Sequence, residues 1–238
     1  MLPLREWLAS PEYLAVKKLS MGDLVSKEFF VDPLRPVYIR PEVFYSPADG
    51  VILYAFERIG PNEAIVNVKG KKFTVRELLD DDEYDHPSLV IGIFMTAYDK
   101  HVNRCPTAGY AKEYRCTPFL YNPQISMVEE ERGLLEDAEI DKADMGYLFM
   151  SERKVISVYN PRIRNTYFVV QVADKEIDVI LNWFKQGYMI QAERMGQIRY
   201  GSQVDLVIPL VGKTKYELLC KRGLHVEAGT DALVKIIS

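Results

Sequence analysis

Short strand-like runs dominate the chain from residue 43 onward; some alternate hydrophobic and polar positions, and others, such as 51–56 and 89–95, are continuously apolar. Alternation is typical of strands with one buried face, because successive side chains of a strand point to opposite sides, and a short apolar run is typical of a buried strand. Together these runs predict strands at residues 51–56, 64–68, 89–95, 146–150, 155–159, 167–172, 195–200 and 204–210. Residues 177–184 fit a strand and a helix equally well. Strand patterns therefore outnumber helical ones.

Helical spacing is confined to the N-terminus and one internal segment. In residues 2–31 apolar residues recur three or four positions apart, and Gly22 is expected to separate a first helix from a shorter second one. Residues 73–80 predict a short helix that Thr74 caps, with Glu77 three positions later. Prolines 33, 36 and 41 make residues 32–41 an extended connector, named the connector below.

These patterns predict an α+β protein, mainly antiparallel β, with peripheral N-terminal helices. Residues 1–42 would hold the helices and the connector, and residues 43–238 would form a β-rich domain. Residues 226–229, Val-Glu-Ala-Gly, resemble a turn of barrel-sandwich domains, in which the glycine, here Gly229, adopts a positive φ between two short strands.

Composition excludes some classes of function. A net charge of −4 gives no positive field for nucleic acid, and no apolar run approaches the roughly 18 residues of a membrane span. Three cysteines without metal-type spacing predict reduced thiols in a cytoplasmic protein. The chain has three histidines, His86, His101 and His225, so we expect no multi-histidine site and predict no metal.

Gly201–Ser202 is the one Gly-Ser pair of the chain, and it lies between two predicted strands. A serine hydroxyl can attack the peptide bond before it, if glycine permits a strained approach and a base and oxyanion donors are present. Elimination from the resulting ester, followed by hydrolysis, leaves a pyruvoyl group where Ser202 was. The alternative is an ordinary hydroxyl in a turn between strands.

Two upstream segments offer partners for such a serine. Residues 46–50, Ser-Pro-Ala-Asp-Gly, form a rigid turn that can aim Asp49, and residues 99–106, Asp-Lys-His-Val-Asn-Arg-Cys-Pro, place His101 after a buried strand. By the logic of acid–histidine–serine triads, His101 is the candidate base and Asp49 the residue that orients it. A turn cap at Asp49 and a structural histidine are the alternatives.

Together these segments resemble the phosphatidylserine decarboxylase family. A family element, Phe-x-Asp-Pro-x-Arg-Pro, is matched by Phe30, Asp32, Pro33, Arg35 and Pro36. Many bacterial members carry a second histidine where this chain has Arg104, and the pattern here is similar to the short, soluble, archaeal-type subgroup. Ser151-Glu152-Arg153 stands in place of the family's Asn-Glu-Arg. Arg104 and Arg153 are thus candidate substrate ligands for an anionic group, with a structural ion pair the alternative for Arg104.

The resemblance implies a self-processing decarboxylase that carries a pyruvoyl group derived from Ser202. Cleavage between Gly201 and Ser202 would yield a β chain and an α chain. The implied reaction converts a serine phospholipid, phosphatidylserine or an archaeal ether-lipid equivalent, to the ethanolamine phospholipid and carbon dioxide. Three alternatives remain: a soluble amino acid as substrate, a relative that no longer processes itself, and a non-enzymatic β-rich binding module.

A phospholipid substrate implies peripheral contact with a membrane surface from the cytoplasm. The expected contact is an amphipathic face of the N-terminal helices, formed by Trp7, Leu14 and Phe29 beside Lys17, Lys18 and Lys27. The alternative is that these helices pack on the core. The sequence leaves open whether copies of the chain form a homo-oligomer.

Overall fold

A computed structural model describes residues 1–117, 127–137, 142–174, 180–199 and 202–237. Their strands are β1 Leu2–Pro3, β2 Val43–Tyr45, β3 Gly50–Ile59, β4 Ala64–Val68, β5 Lys71–Thr74, β6 Ser88–Met95, β7 Val102–Arg104, β8 Gly109–Thr117, β9 Arg153–Asn160, β10 Asn165–Ala173, β11 Ile180–Asn182, β12 Gln186–Met189, β13 Arg194–Ile198, β14 Ser202–Pro209, β15 Lys215–Leu218, β16 Leu224–Val226 and β17 Ala232–Ile237. Their helices are Leu4–Leu8, Pro11–Val16, Met21–Asp23 with the π-helical Leu24–Phe29, Val75–Leu79, Val128–Arg132 with the π-helical Gly133–Asp137, and the 3-10 helix Lys142–Phe149.

A nine-stranded antiparallel sheet organises the described residues, in the order β1-β16-β3-β6-β14-β10-β9-β8-β12. Three small sheets accompany it, β11-β13-β7, β15-β17-β2 and the hairpin β4-β5. Strands therefore dominate and the helices are short, which confirms the predicted α+β fold with mainly antiparallel sheets and N-terminal helices.

Both faces of the large sheet are covered, and strand β14 shows how. Val204 and Leu206 belong to one apolar cluster, which also takes in residues of the small sheets such as Met195 and Leu233. Val207 belongs to the cluster on the opposite face, which helical residues such as Leu78 help to build. Every residue of β14 is buried as a result. A polar side chain on this strand must find its partners inside the protein.

Local signals predicted several elements well. The helix Val75–Leu79 begins with a capping box, in which Thr74 Oγ1 accepts from the Glu77 N–H and the Glu77 carboxylate accepts from the Thr74 N–H. The predicted positive φ of Gly229 is present at +70°, in the turn between β16 and β17. Residues 31–40 of the chain form neither helix nor strand, as expected for the connector.

Two local predictions are wrong. Residues 146–150 are not a strand, because residues 146–149 belong to the helix Lys142–Phe149. Tyr147 and Leu148 are both fully buried, so the segment lacks the polar face that would have revealed its helical period. Gly22 does not separate two helices either, since it lies inside Met21–Asp23, which runs on into Leu24–Phe29.

The N-terminal residues pack on the sheet. β1 pairs with β16, and the ammonium group of Met1 forms an ion pair with Asp231 at 2.6 Å. Trp7 is only 7% exposed, so the predicted membrane-contact face is wrong at this residue. Leu14 is exposed, whereas the side chain of Phe29 lies outside what the structure describes. The division at residue 42 stays a prediction.

No helix in the described ranges is both long and apolar enough to cross a bilayer.

Candidate active site

Ser202 is the first described residue of β14, in the middle of the large sheet. It pairs with Met95 of β6 on one side and with Ala173 of β10 on the other. The side chain is fully buried, and its Oγ lies 3.0 Å from His101 Nδ1 and 3.5 Å from Met95 Sδ. The structure thus brings the predicted nucleophile and base together. Gly201 lies outside the described residues.

Two backbone carbonyl oxygens lie beside the ring of His101, and the neutral ring can donate to only one of them. Its Nε2 lies 3.0 Å from the Thr96 oxygen, and its Nδ1 lies 3.1 Å from the Ile198 oxygen. When Nε2–H donates to Thr96, Nδ1 carries a lone pair and can accept the hydroxyl proton of Ser202. Burial lowers the pKa of His101, which favours the neutral ring that a general base requires. The Thr96 carbonyl lies where a triad has its carboxylate and can fix the same tautomer, without the charge of a carboxylate.

Asp99 holds the backbone that carries this carbonyl. Its Oδ2 accepts from both the N–H and the hydroxyl of Thr96, each at 2.8 Å. Its Oδ1 lies 2.6 Å from Nε2 of His225. Burial acts to raise the pKa of Asp99, but the charge and hydrogen bond of His225, with the bonds from Thr96, lower it overall. A polar chain thus runs from His225 through Asp99, Thr96 and His101 to Ser202.

Asp49 lies between β2 and β3, and its carboxylate faces the connector. Arg35 donates to both of its oxygens, at 2.6 and 2.5 Å, and the Ala228 N–H donates to Oδ1 at 2.7 Å. The negative charge of Asp49 raises the pKa of His101 against the larger effect of burial. The effect on His101 that the structure reveals is therefore electrostatic. The orienting role predicted for Asp49 stays a prediction.

Arg104 and Arg153 contact other groups than Ser202 and His101. Arg104 forms an ion pair with Asp32 at 2.5 Å and donates to the Ala192 carbonyl at 3.1 Å, so the alternative of a structural ion pair is present. Arg153 lies over the ring of Phe73, with its guanidinium carbon 5.4 Å from the ring centroid. Burial lowers the pKa of Arg153. Their role as substrate ligands stays a prediction.

A pocket of about 570 Å³ opens beside the polar chain. Asp49, Asp99 and His225 contribute to its wall, together with Arg35 and Trp7. Two of these residues act on His101: the charges of Asp99 and Asp49 both raise its pKa against the larger effect of burial, and Asp99 also binds Thr96. His101 and Ser202 are not among the residues that line the pocket, and both are fully buried.

On the other face of β14, Gln203 and Asp205 form a second polar group. The hydroxyl of Tyr54 donates to Asp205 Oδ1 at 2.5 Å, and Gln203 Nε2 donates to Asp205 Oδ2 at 2.9 Å. Tyr147 donates to Gln203 Oε1 at 2.7 Å. Burial raises the pKa of Asp205 to about 7. This group backs the strand that begins with the candidate nucleophile.

Sequence reasoning missed Thr96, Ile198 and the Asp99–His225 pair. Thr96 and Ile198 act through backbone carbonyl groups, which no residue type signals. Asp99 did stand in the segment quoted around His101, but its partner His225 lies 126 residues further along the chain. Nothing local connects these two residues.

The fold and the site define a β-rich protein with a buried serine–histidine pair at the start of a central strand. A model of the phosphatidylserine decarboxylase family matches residues 24–234. A phosphatidylserine decarboxylase proenzyme of Beijerinckia indica subsp. indica is 29% identical over 205 residues, which are 85% of this chain and 71% of that protein. One of Pelagibacter ubique is 32% identical over 212 residues, 87% of this chain and 78% of that protein. No solved structure matches.

The chain belongs to the phosphatidylserine decarboxylase family. It is accordingly a pyruvoyl-dependent carboxy-lyase of phospholipid biosynthesis, made as a proenzyme whose cofactor derives from one of its own serines.

Proposed function

We propose that this proenzyme cleaves itself between Gly201 and Ser202, that residue 202 becomes the pyruvoyl group, and that the mature enzyme decarboxylates phosphatidylserine. The observation that carries the proposal is the 3.0 Å distance between Ser202 Oγ and His101 Nδ1, both of which are fully buried. A hydroxyl this close to a neutral imidazole can lose its proton as it attacks.

Self-cleavage uses the chain's own groups. Nδ1 of His101 takes the hydroxyl proton while Ser202 Oγ bonds to the carbonyl carbon of residue 201. The carbon–nitrogen bond to Ser202 then breaks, its nitrogen takes up a proton, and an ester replaces the peptide bond. Removal of the α-proton of residue 202 expels the carboxylate of residue 201 and leaves a dehydroalanine. Addition of water and loss of ammonia give the pyruvoyl group at the new N-terminus.

Position 202 fits such a group. Ladders to β6 and β10 hold residue 202 and those after it, so the new chain end stays in place once the bond before it is broken. The pyruvoyl carbonyl supplies an electron sink for the loss of carbon dioxide from an amine-bearing substrate. Next to position 202, Nδ1 of His101 can hold a proton and return it to the substrate, and the charge of Asp49 favours the protonated imidazole ring.

We place the head group of phosphatidylserine in the pocket beside Asp49 and Asp99. The names of the bacterial relatives, which are phosphatidylserine decarboxylase proenzymes, support this substrate. Arg104 and Arg153 remain candidate ligands for the carboxylate or phosphate of the head group. To bind it, each arginine would have to leave the partners described above. The Asp-x-His-Val-Asn-Arg-x-Pro pattern supports membership of the short archaeal-type subgroup, and peripheral contact with the cytoplasmic side of a membrane follows from a lipid substrate.

The proposal is tested by following the mass of the purified chain and its product. Wild-type protein should give fragments of residues 1–201 and 202–238, the second blocked at its N-terminus, and should release carbon dioxide from phosphatidylserine vesicles. Ser202→Ala should stay at full length, and Ser26→Ala, at an exposed serine of the N-terminal helices, is the matched control and should be cleaved as the wild type is. An intact wild-type chain after prolonged incubation would refute self-cleavage. Release of carbon dioxide from free amino acids, but from no serine phospholipid, would refute the lipid substrate.

A further inference from the structure

The connector is tied to the rest of the protein by polar groups, while several of its apolar side chains are exposed. Asp32 forms ion pairs with Arg104 and Arg194, Arg35 pairs with Asp49, and the backbone at residue 40 exchanges hydrogen bonds with the buried amide of Gln191. Its exposed large apolar side chains are Leu34, Val37, Tyr38 and Ile39, and Arg40 beside them is exposed as well. Leu34 is 98% exposed and Tyr38 66%.

This apolar surface continues beyond the connector. Ile39 lines an apolar pocket of about 400 Å³ together with Tyr188 and Ile190, both of which are exposed. The ring of Tyr110 meets that of Tyr188 edge to face, with centroids 5.0 Å apart. The connector surface is defined here by these residues and the exposed ones of the connector: Leu34, Val37, Tyr38, Ile39, Tyr110, Tyr188 and Ile190. Single exposed apolar residues are ordinary, but a contiguous patch of this kind marks an interaction site.

The connector surface adjoins the pocket of about 570 Å³. Residues 33–36 of the connector form part of its lining, together with Asp99 and His225. Arg35 is both a lining residue and the partner of Asp49. Leu34 lines the pocket and is almost fully exposed, so whatever covers Leu34 lies at the edge of the pocket.

We infer that the connector surface is seated in the interfacial layer of a phospholipid bilayer, with the pocket opening onto the lipid head groups. This inference rests on the proposed function, because a phospholipid substrate must reach the pocket from a membrane. Tyr38, Tyr110 and Tyr188 have the amphipathic rings that favour the level of the head groups. The exposed Arg162, on the wall of the apolar pocket, offers a charge to anionic lipid. A second copy of the chain is the occupant that the experiment must distinguish.

Flotation with vesicles of phosphatidylserine and phosphatidylcholine tests this inference in the Ser202→Ala proenzyme, which cannot turn over the lipid. In that background, Val37→Ser with Tyr38→Ser and Ile39→Ser should lower the vesicle-bound fraction roughly tenfold or more, because three apolar side chains leave the interface. The matched control is Leu219→Ser with Ile237→Ser, which changes exposed apolar residues elsewhere and should bind as the parent does. All three proteins should unfold at similar temperatures.

Equal flotation of the connector variant and its parent would overturn the inference, and so would an equal loss in the control. A parent that is dimeric without lipid, and a connector variant that is monomeric, would assign the surface to a second copy instead. Decarboxylation is measured separately, with Ser202 restored. The connector variant should then lose activity on vesicles while it still turns over a short-chain, monomeric phosphatidylserine. If the wild-type protein, with Ser202 present, turns over no phosphatidylserine while flotation still distinguishes the variants, the proposed function fails and the membrane surface stands.

Discussion

The indole ring of Trp7 stacks on the imidazole of His225, with ring centroids 4.1 Å apart and planes only 9° from parallel. Trp7 belongs to the first helix, and His225 lies beyond the proposed cleavage site. The contact thus joins what would become the two separate chains of the mature enzyme. The stacking also fixes the imidazole of His225, which binds Asp99. Asp99 in turn binds Thr96, whose carbonyl oxygen contacts His101.

We predict that His225→Ala weakens both the fold and self-cleavage. The substitution removes the 2.6 Å hydrogen bond between His225 and the buried carboxylate of Asp99, so we expect the free energy of unfolding to fall by about 1–3 kcal/mol. Self-cleavage should slow because Thr96 is held less firmly. Denaturant unfolding and the half-time of cleavage measure the two effects. His86→Ala, at an exposed histidine, is the control. Unchanged cleavage in folded His225→Ala would contradict the polar chain described above.

The rate of self-cleavage should depend on pH through His101. Burial lowers the pKa of this histidine from its usual value of 6.5, and only the neutral ring accepts a proton. The rate should therefore rise with pH through the lowered pKa and be level from about pH 6.5 upward. Below pH 6.5 the unfolded chain binds this proton more readily, so the folded state also loses stability there.

Cleavage rates of freshly refolded proenzyme between about pH 5 and pH 9 provide the measurement. His101→Ala should remain at full length throughout this range. A rate that keeps climbing above pH 7 would point to a base other than His101.

Asp49→Asn should act mainly through Arg35. The amide can still accept from Ala228, but it cannot pair with both nitrogens of the guanidinium group, so we expect destabilisation of about 1–3 kcal/mol. The rate of cleavage should fall as well, because the charge that favours protonated His101 is lost. Arg35→Leu separates the two effects, since it breaks the ion pair and keeps the carboxylate.

If Asp49→Asn and Arg35→Leu slow cleavage equally at matched stability, the ion pair carries the effect and Asp49 has no role of its own in the reaction. A slower Asp49→Asn supports the electrostatic role. The double variant completes the cycle and gives the coupling between the two residues.

Asp205 should make its own contribution to the pH dependence of stability. Burial raises its pKa to about 7 from 3.8, so the folded chain binds this proton more tightly than the unfolded chain does. The contribution of Asp205 to stability then falls as pH rises from about 4 to 7, by at most about 1.4 kcal/mol per pH unit, and is constant above. Asp205→Asn removes this slope. The stability of the variant relative to wild type should rise over that interval, and a flat difference would disprove the raised pKa.

Short-range signals predicted most of the fold. The alternation in residues 64–68 and the Thr74–Glu77 capping box act between neighbours, and both are present in the structure. The strand prediction for residues 146–150 failed because this buried segment has no polar positions that could show a helical period. The membrane-contact prediction for Trp7 failed because its partner, His225, lies almost at the other end of the chain. An amphipathic pattern shows which side of a helix is apolar, not whether that side meets lipid or the core.

The candidate site also contains residues that the sequence predicted and groups that it could not predict. Ser202, His101 and Asp49 were predicted from motifs that resemble those of a known family, and the first two are in direct contact. The carbonyl groups of Thr96 and Ile198 could not be predicted, because every residue has one and only the folded backbone aims it. The outward apolar side chains of the connector were equally hidden, since prolines in that segment indicate an extended chain and nothing about its orientation.

The central position of β14 limits when this protein can fold. Before the proposed cleavage at residue 202, β14 is tied to its neighbours β6 and β10 by one continuous chain; after it, the same ladders would have to hold a fragment of fewer than forty residues by themselves. Assembly from the two fragments would require an encounter in solution and the insertion of a buried strand between two partners that are already paired to others. Synthesis as one chain avoids both the encounter of two fragments and the insertion of a strand into a sheet that has already formed. Maturation is therefore a one-way event, and an enzyme molecule that unfolds after it has cleaved itself has lost the covalent link that directed its assembly.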